Sequence, residues 1–294
     1  MAQVWKHDWG LTTRVIITWS LLLLVYLAFM AVLLYFGVNM VLVLFFVFAM
    51  GFAQYFFSDS MVLMSTGTKL VSETEAPELH QMIERICVDA GVPKPRIGIM
   101  PSPMANAFAT GRSPKRAVVA VTDTITRVLN KNELEAVLAH EVSHIKNRDV
   151  LTLTLASFTA MIASMIVHNI LFISFTNRGE GSPPWLLIGI AAGVVWLVST
   201  ILMLALSRYR EYAADRGSAY ITNNPMALVS ALKKISGTME ATSSKKREEA
   251  QGANAFYIIP AISGGSIMSL FTTHPPLEKR IANLEKILVE QRGY

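Results

Sequence analysis

The sequence predicts a mainly α-helical membrane protein, with four membrane-crossing helices joined to a globular α+β part that contains a small sheet. Three observations carry this expectation. Of 294 residues, 52% are hydrophobic and 16% charged, against the ~25% charge of soluble domains. Four long apolar runs occur in two pairs, and two stretches of ordinary soluble composition follow the pairs. The net charge of +5 suits basic loops beside anionic lipid and does not call for nucleic acid. A single cysteine, Cys87, rules out an intrachain disulfide and reads as a small buried side chain.

The first run, Val15 to Phe36, is uncharged and long enough to span a bilayer, which takes ~20 helical residues. A signal peptide would have a shorter core and a small-residue cleavage site. This run leads through a turn at Gly37–Met40 into a second, Val41 to Phe57. A third, Leu151 to Phe175, and a fourth, Trp185 to Leu206, are joined by the polar stretch Thr176–Pro184. The expected organisation is a membrane hairpin over 1–57, the first part of a globular domain over 58–149, a second hairpin over 150–206 and the rest of the domain over 207–294. Lys6, Arg14, Lys146, Arg148, Arg208 and Arg210 flank the spans on one side. The positive-inside rule then places the termini and both globular segments in the cytoplasm.

Within the globular segments, Glu73 to Ala90 has an amphipathic helical pattern, which Pro93 and Pro95 are expected to end. Arg96 to Met100, Ala105 to Thr110 and Ala117 to Val121 read as strands. Gly111-Arg112-Ser113-Pro114 is turn chemistry and makes the last two a hairpin. Thr122 to Leu129 opens the next helical region. Gly237 to Asn254 is polar and charged and is expected to be a mobile surface loop. Pro275 to Gln291 has Leu277, Ile281, Leu284 and Leu288 at helical spacing.

Chemistry concentrates at His140-Glu141-Val142-Ser143-His144, which reads H-E-x-x-H. Asn130 followed by Glu133 fits a capping box that would open a helix here. On a helix, residues four apart project from one side, so His140 and His144 can hold one Zn²⁺. Glu141 lies ~80° round from their midpoint, beside the metal, where it can take a proton from an attacking water. A catalytic zinc needs a third protein ligand. His168 is 24 residues past His144, ~36 Å away on a continuous helix, and is rejected. Glu211 and Asp215 are four apart just after the fourth run. One could bind the metal while the other fixes the tautomer of a ligand histidine. The alternative is ordinary helix pairing with Arg208, Arg210 and Arg216.

Three stretches in order, Ala139 to His144, Ser207 to Asp215 and Thr273 to Ile281, resemble the HtpX family of membrane zinc metalloproteases. The type 1 CAAX prenyl proteases are more distant relatives. The resemblance covers nearly the whole chain. It implies a gluzincin-like cytoplasmic domain holding one Zn²⁺, with His140, His144 and Glu211 as ligands. It further implies that Glu141 is the catalytic base and Asp215 the partner of a ligand histidine. The implied setting is the bacterial inner membrane, and the implied role is quality control under stress. The substrates would be damaged membrane proteins and unfolded polypeptides, cut at cytoplasmic segments beside the lipid bilayer.

Within that frame His274 is the expected oxyanion donor, with Tyr209 and Tyr212 as alternatives, and Arg280 is expected to pair with an acid. Asn106, Ala107 and Phe108 are expected on an edge strand that accepts substrate main chain. A transporter or scaffold would place charged groups inside the spans. No charged residue occurs there, only His168, Gln54 and a few Ser, Thr and Asn.

Overall fold

The computed structural model describes residues 8–35, 40–176, 185–241 and 274–292. In chain order the helices are α1 (Trp9–Tyr35), α2 (Met40–Thr66), α3 (Pro77–Ala90), α4 (Ile125–Val128), α5 (Lys131–Asn147), α6 (Asp149–Thr176), α7 (Trp185–Thr222), α8 (Pro225–Ala241) and α9 (Leu277–Arg292). The strands are β1 (Lys69–Leu70), β2 (Arg96–Met100), β3 (Ala107–Thr110) and β4 (Val118–Thr122). The fold is mainly helical with one small mixed sheet.

The chain divides into two compact units, one built from Trp9–Phe56 and Thr152–Leu206. Among the described residues, three helices are long and apolar enough to cross a membrane: Trp9–Tyr35, Asp149–Val167 and Leu187–Thr222. Large apolar side chains such as Leu23, Leu24 and Leu27 on α1 and Leu187, Ile190 and Val194 on α7 face outward, as helices in hydrocarbon require. Phe29, Leu33, Ile162, Ala163, Ile188 and Ala192 form a buried cluster linking α1, α6 and α7. The 38 residues of α7 run ~57 Å, far more than a ~30 Å hydrocarbon core. Its apolar stretch ends at Leu206, and Ser207 to Thr222 belongs to the other unit.

That second unit comprises Phe57–Leu151 and the described part of Ser207–Tyr294. Its sheet has the order β1-β2-β4-β3. β2 and β4 run parallel, while β1 and β3 pair antiparallel at the two edges. β4, with a partner on each side, is buried along its whole length, which explains its unbroken apolar run Val118 to Val121. The β3–β4 connection turns at Gly111, with φ of 118°. A Cβ there would lie 2.6 Å from the Arg116 carbonyl oxygen, so the turn excludes larger residues. One face of the sheet and helices α3, α5, α8 and α9 enclose a single core containing Ile83, Val119, Val121, Leu138, Val142, Leu228, Leu232 and Leu284.

Several boundaries differ from the sequence reading. α2 runs on past Phe57 to Thr66, because polarity does not stop a helix and no Gly or Pro lies between Phe57 and Gly67. α3 begins at Pro77, where proline's missing N–H is tolerated, so Glu73 to Ala76 precede it. It ends at Gly91 in the left-handed region, whose N–H bonds the Cys87 and Val88 carbonyls, ahead of Pro93. Gly237 to Ala241 are the end of α8 and not loop. The remainder of the expected 237–254 loop lies outside the described residues, as do most of both expected interhelical turns.

The start of α5 is pinned from two sides. Asn130 and Glu133 form the reciprocal capping box, with bonds of 2.8 and 3.0 Å. Buried Glu133 also accepts 2.7 and 2.8 Å bonds from Ser230 and Lys234 of α8. Burial alone would raise the Glu133 pKa, but these donors outweigh it and hold the carboxyl below its ordinary value. A lowered folded-state pKa means the contribution is present above the unfolded value of ~4.3 and is lost as pH falls through the folded one. Glu133→Ala is expected to cost about 1–3 kcal/mol at neutral pH by leaving these donors unpaired. Thermal melts in detergent should show the gap to wild type shrinking on acidification.

Candidate metal centre

α5 presents His140 and His144 one turn apart, and their Nε2 atoms lie 3.1 Å from each other. α7 crosses this face of α5, fixed by a 2.6 Å bond from the buried Ser218 hydroxyl to the Ala136 carbonyl. That crossing brings in Glu211. Its Oε1 is 3.4 Å from His144 Nε2 and its Oε2 is 3.5 Å from His140 Nε2. Two ligand atoms ~2.0–2.1 Å from one tetrahedral zinc are ~3.3 Å apart, so the three observed separations frame a zinc-sized space. Among the described residues, His140, His144 and Glu211 are the one group of this kind that could hold a metal. All three are buried or nearly so.

Each histidine is held through its other nitrogen. His140 Nδ1 lies 3.0 Å from Asp215 Oδ1, and His144 Nδ1 lies 2.5 Å from Asp149 Oδ2. A carboxylate there keeps the proton on Nδ1 and turns the Nε2 lone pair towards the metal. Burial would lower both histidine pKa values. The carboxylates of Asp215 and Glu211 around His140, and of Glu211 and Glu141 around His144, outweigh it and raise both. Arg280, fully buried in α9, donates 2.9 and 2.6 Å bonds to both oxygens of Asp215. Burial would lower the guanidinium pKa, but Asp215 raises it above its ordinary value.

Glu141 is also buried, with 4% exposure. It follows His140 directly on α5, between the two histidines in sequence. His274 Nδ1 is 2.9 Å from Glu211 Oε2. The three sequence stretches therefore converge on one carboxylate.

The Peptidase family M48 model matches residues 73–288. The chain belongs to peptidase family M48. It is 52% identical over 292 residues to "Protease HtpX homolog 2" of Methanosarcina acetivorans, covering 99% of both chains. It is 51% identical over 284 residues to "Protease HtpX homolog" of Moorella thermoacetica, covering 95% of each. Among solved structures, S. mikatae Ste24p has a similar fold, with a TM-score of 0.54 at 18% identity. That match covers 89% of this chain and 62% of Ste24p. As an HtpX-type member of the family, the protein is a multi-pass membrane zinc metallopeptidase with its metal site at His140, His144 and Glu211. The relatives include an archaeal one, so the family is not confined to a bacterial inner membrane.

Asn106, Ala107 and Phe108 lie at the start of β3, whose far end, Ala109 and Thr110, lines a small pocket together with His144. β3 is an edge strand, paired among the described residues with β4 alone. Asn106 is buried, and its backbone N–H and C=O both bond Thr122. Phe108 packs with Met100, Ala120 and Val62 on the sheet face opposite the main core. The sequence reading missed Asp149 as the partner of His144 and Arg210 as the partner of Asp149. Asp149 stands two residues before the apolar run that begins at Leu151, where it reads only as a helix-start acid.

Proposed function

We propose that this chain is an endopeptidase that cuts damaged or misfolded membrane proteins at cytoplasmic segments, working from a four-span anchor with α2 as the fourth span. The observation that carries the reading is the buried trio of two imidazoles and a carboxylate at zinc spacing, with buried Glu141 next to His140 on the same helix. The basic residues beside the spans, Lys146, Arg148, Arg208 and Arg210, support a cytoplasmic site. The bilayer is then both anchor and source of substrate.

Zinc, when bound, supplies a Lewis acid that lowers the pKa of water towards ~7 and polarises a carbonyl. The rest is done by the chain. Asp215 and Asp149 hold the ligand imidazoles in one tautomer. Glu141 takes the proton of the attacking water and delivers it to the leaving nitrogen as the C–N bond breaks. His274, turned to Glu211 through Nδ1, would donate through Nε2 to the oxyanion. A substrate strand laid along the outer edge of β3 would be gripped by its main chain, giving broad sequence tolerance. Asn106, Ala107 and Phe108 would then shape that edge and not touch the reacting atoms.

The test is cleavage of casein by the full chain purified in detergent. Activity should vanish with a chelator and return with zinc; a wild-type protein that neither binds zinc nor cleaves would leave a scaffold as the better reading. In the same assay His274→Gln should lower kcat ~10²–10³-fold with zinc content unchanged. Loss of zinc instead would make His274 a support for Glu211.

A further inference from the structure

The ligand histidines are supported in parallel, and only one support follows from the motifs. His140 rests on Asp215, which is neutralised by Arg280. His144 rests on Asp149, which is in turn ion-paired with Arg210. We infer that Asp149 is a positioning residue of the metal centre, holding His144 Nδ1–H, with Arg210 as its counter-ion.

The local backbone explains how a residue five positions on can reach back. Arg148 caps α5 in the left-handed region, with φ of 54°, and its N–H bonds the carbonyls of His144 and Ile145. This conformation costs a non-glycine residue ~1–2 kcal/mol. It interrupts the helix between α5 and α6, and Asp149 is the first residue of α6. A continuous helix would put residues five apart ~140° round from each other, out of reach. The break therefore converts a sequence neighbour into a hydrogen-bond acceptor for the ligand.

Asp149 is 5% exposed, and a buried carboxylate needs a counter-charge. Arg210 meets it from α7, one residue before the ligand Glu211, and also donates a 3.2 Å bond to the Asn147 carbonyl at the end of α5. Arg210 thus closes the α5–α6 break from the outside. Glu211 and its neighbour Arg210 serve the same histidine from opposite ends of the ring: the carboxylate would share a bound metal with Nε2, and the guanidinium fixes the acceptor of Nδ1–H.

The inference rests on the zinc reading of the site, and the experiment separates the two. Zinc affinity is measured by chelator competition on the full chain in detergent for wild type, Asp149→Ala and Asp149→Asn. The visible spectrum of the Co²⁺-loaded protein and the melting temperature of the metal-stripped protein accompany it. The expected result is a ~10–100-fold weaker zinc affinity in Asp149→Ala, with an altered Co²⁺ spectrum. Asp149→Asn keeps the shape and one acceptor oxygen, so it should restore part of the affinity. A merely structural role would lower the metal-free melting temperature without changing affinity or spectrum in the folded fraction, and that result overturns the inference. If Asp149→Ala does not fold, the near-isosteric Asp149→Asn decides alone: affinity and spectrum equal to wild type overturn the inference, and weaker affinity with a changed spectrum supports it. A wild type that binds no zinc overturns the metal reading and this inference with it. A wild type that binds zinc beside indifferent Asp149 variants overturns this inference only.

Discussion

Glu141→Gln is expected to abolish peptide cleavage while leaving the zinc in place, lowering kcat by at least ~10²–10⁴-fold. Glutamine preserves the shape and burial of the side chain but can no longer accept the water's proton. His140, His144 and Glu211 are untouched, and their mutual separations of 3.1 to 3.5 Å define the metal space without Glu141. Metal content by atomic absorption and casein cleavage, run on the same sample, separate the two effects. Glu211→Gln should behave in the opposite way. It removes the charged ligand between the two imidazoles, so zinc and activity are lost together. If Glu141→Gln still cleaves, the base lies elsewhere in the site. If Glu211→Gln still holds zinc tightly, the trio is not the metal centre.

Arg280→Met is expected to be the most destabilising single change in the globular unit. Arg280 is 1% exposed, and Asp215, which takes both of its short bonds, is fully buried. Removing the arginine strands Asp215 and lets Glu211, 3.6 Å from the same guanidinium, lose a second counter-charge. Breaking a buried pair in this way costs about 3–5 kcal/mol, against about 0–1 kcal/mol for an exposed one. Thermal melts of the metal-stripped protein in detergent measure it. The double change Asp215→Leu with Arg280→Met removes both charges and should recover much of that stability. It should not recover zinc affinity, because His140 would have lost the acceptor on its Nδ1. A double variant with normal zinc affinity would show that Asp215 serves folding and not the ligand.

Much of the site is legible in the chain because it is local. His140, Glu141 and His144 are organised by one helical turn, and the pairing of Asn130 with Glu133 three residues on marks where that helix begins. Glu211 and Asp215 share a helix face by the same four-residue spacing. The spans are legible because hydrocarbon imposes length and apolarity on any helix that crosses it. Helix ends are less legible. Composition marks where an apolar run ends, as after Phe57, whereas the helix itself stops only at a residue such as Gly67 or Gly91 that changes the backbone.

What required the tertiary structure is everything fixed by pairing across distance. No spacing rule says that Asp215 meets His140 and Arg280 while Glu211 faces both histidines, since either carboxylate could have taken either place. The crossing of α7 over α5, held at Ser218 and Ala136, decides it. Nor does the chain announce that Asp149 turns back to His144, because that depends on one left-handed residue at a helix junction, a state arginine rarely adopts. Sequence alone determined the ligand types and the apolar runs, through periodicities of a few residues. The packing of distant segments decided which carboxylate binds, which ones orient and which arginines neutralise them, because a buried charge is tolerated only where the fold brings its partner.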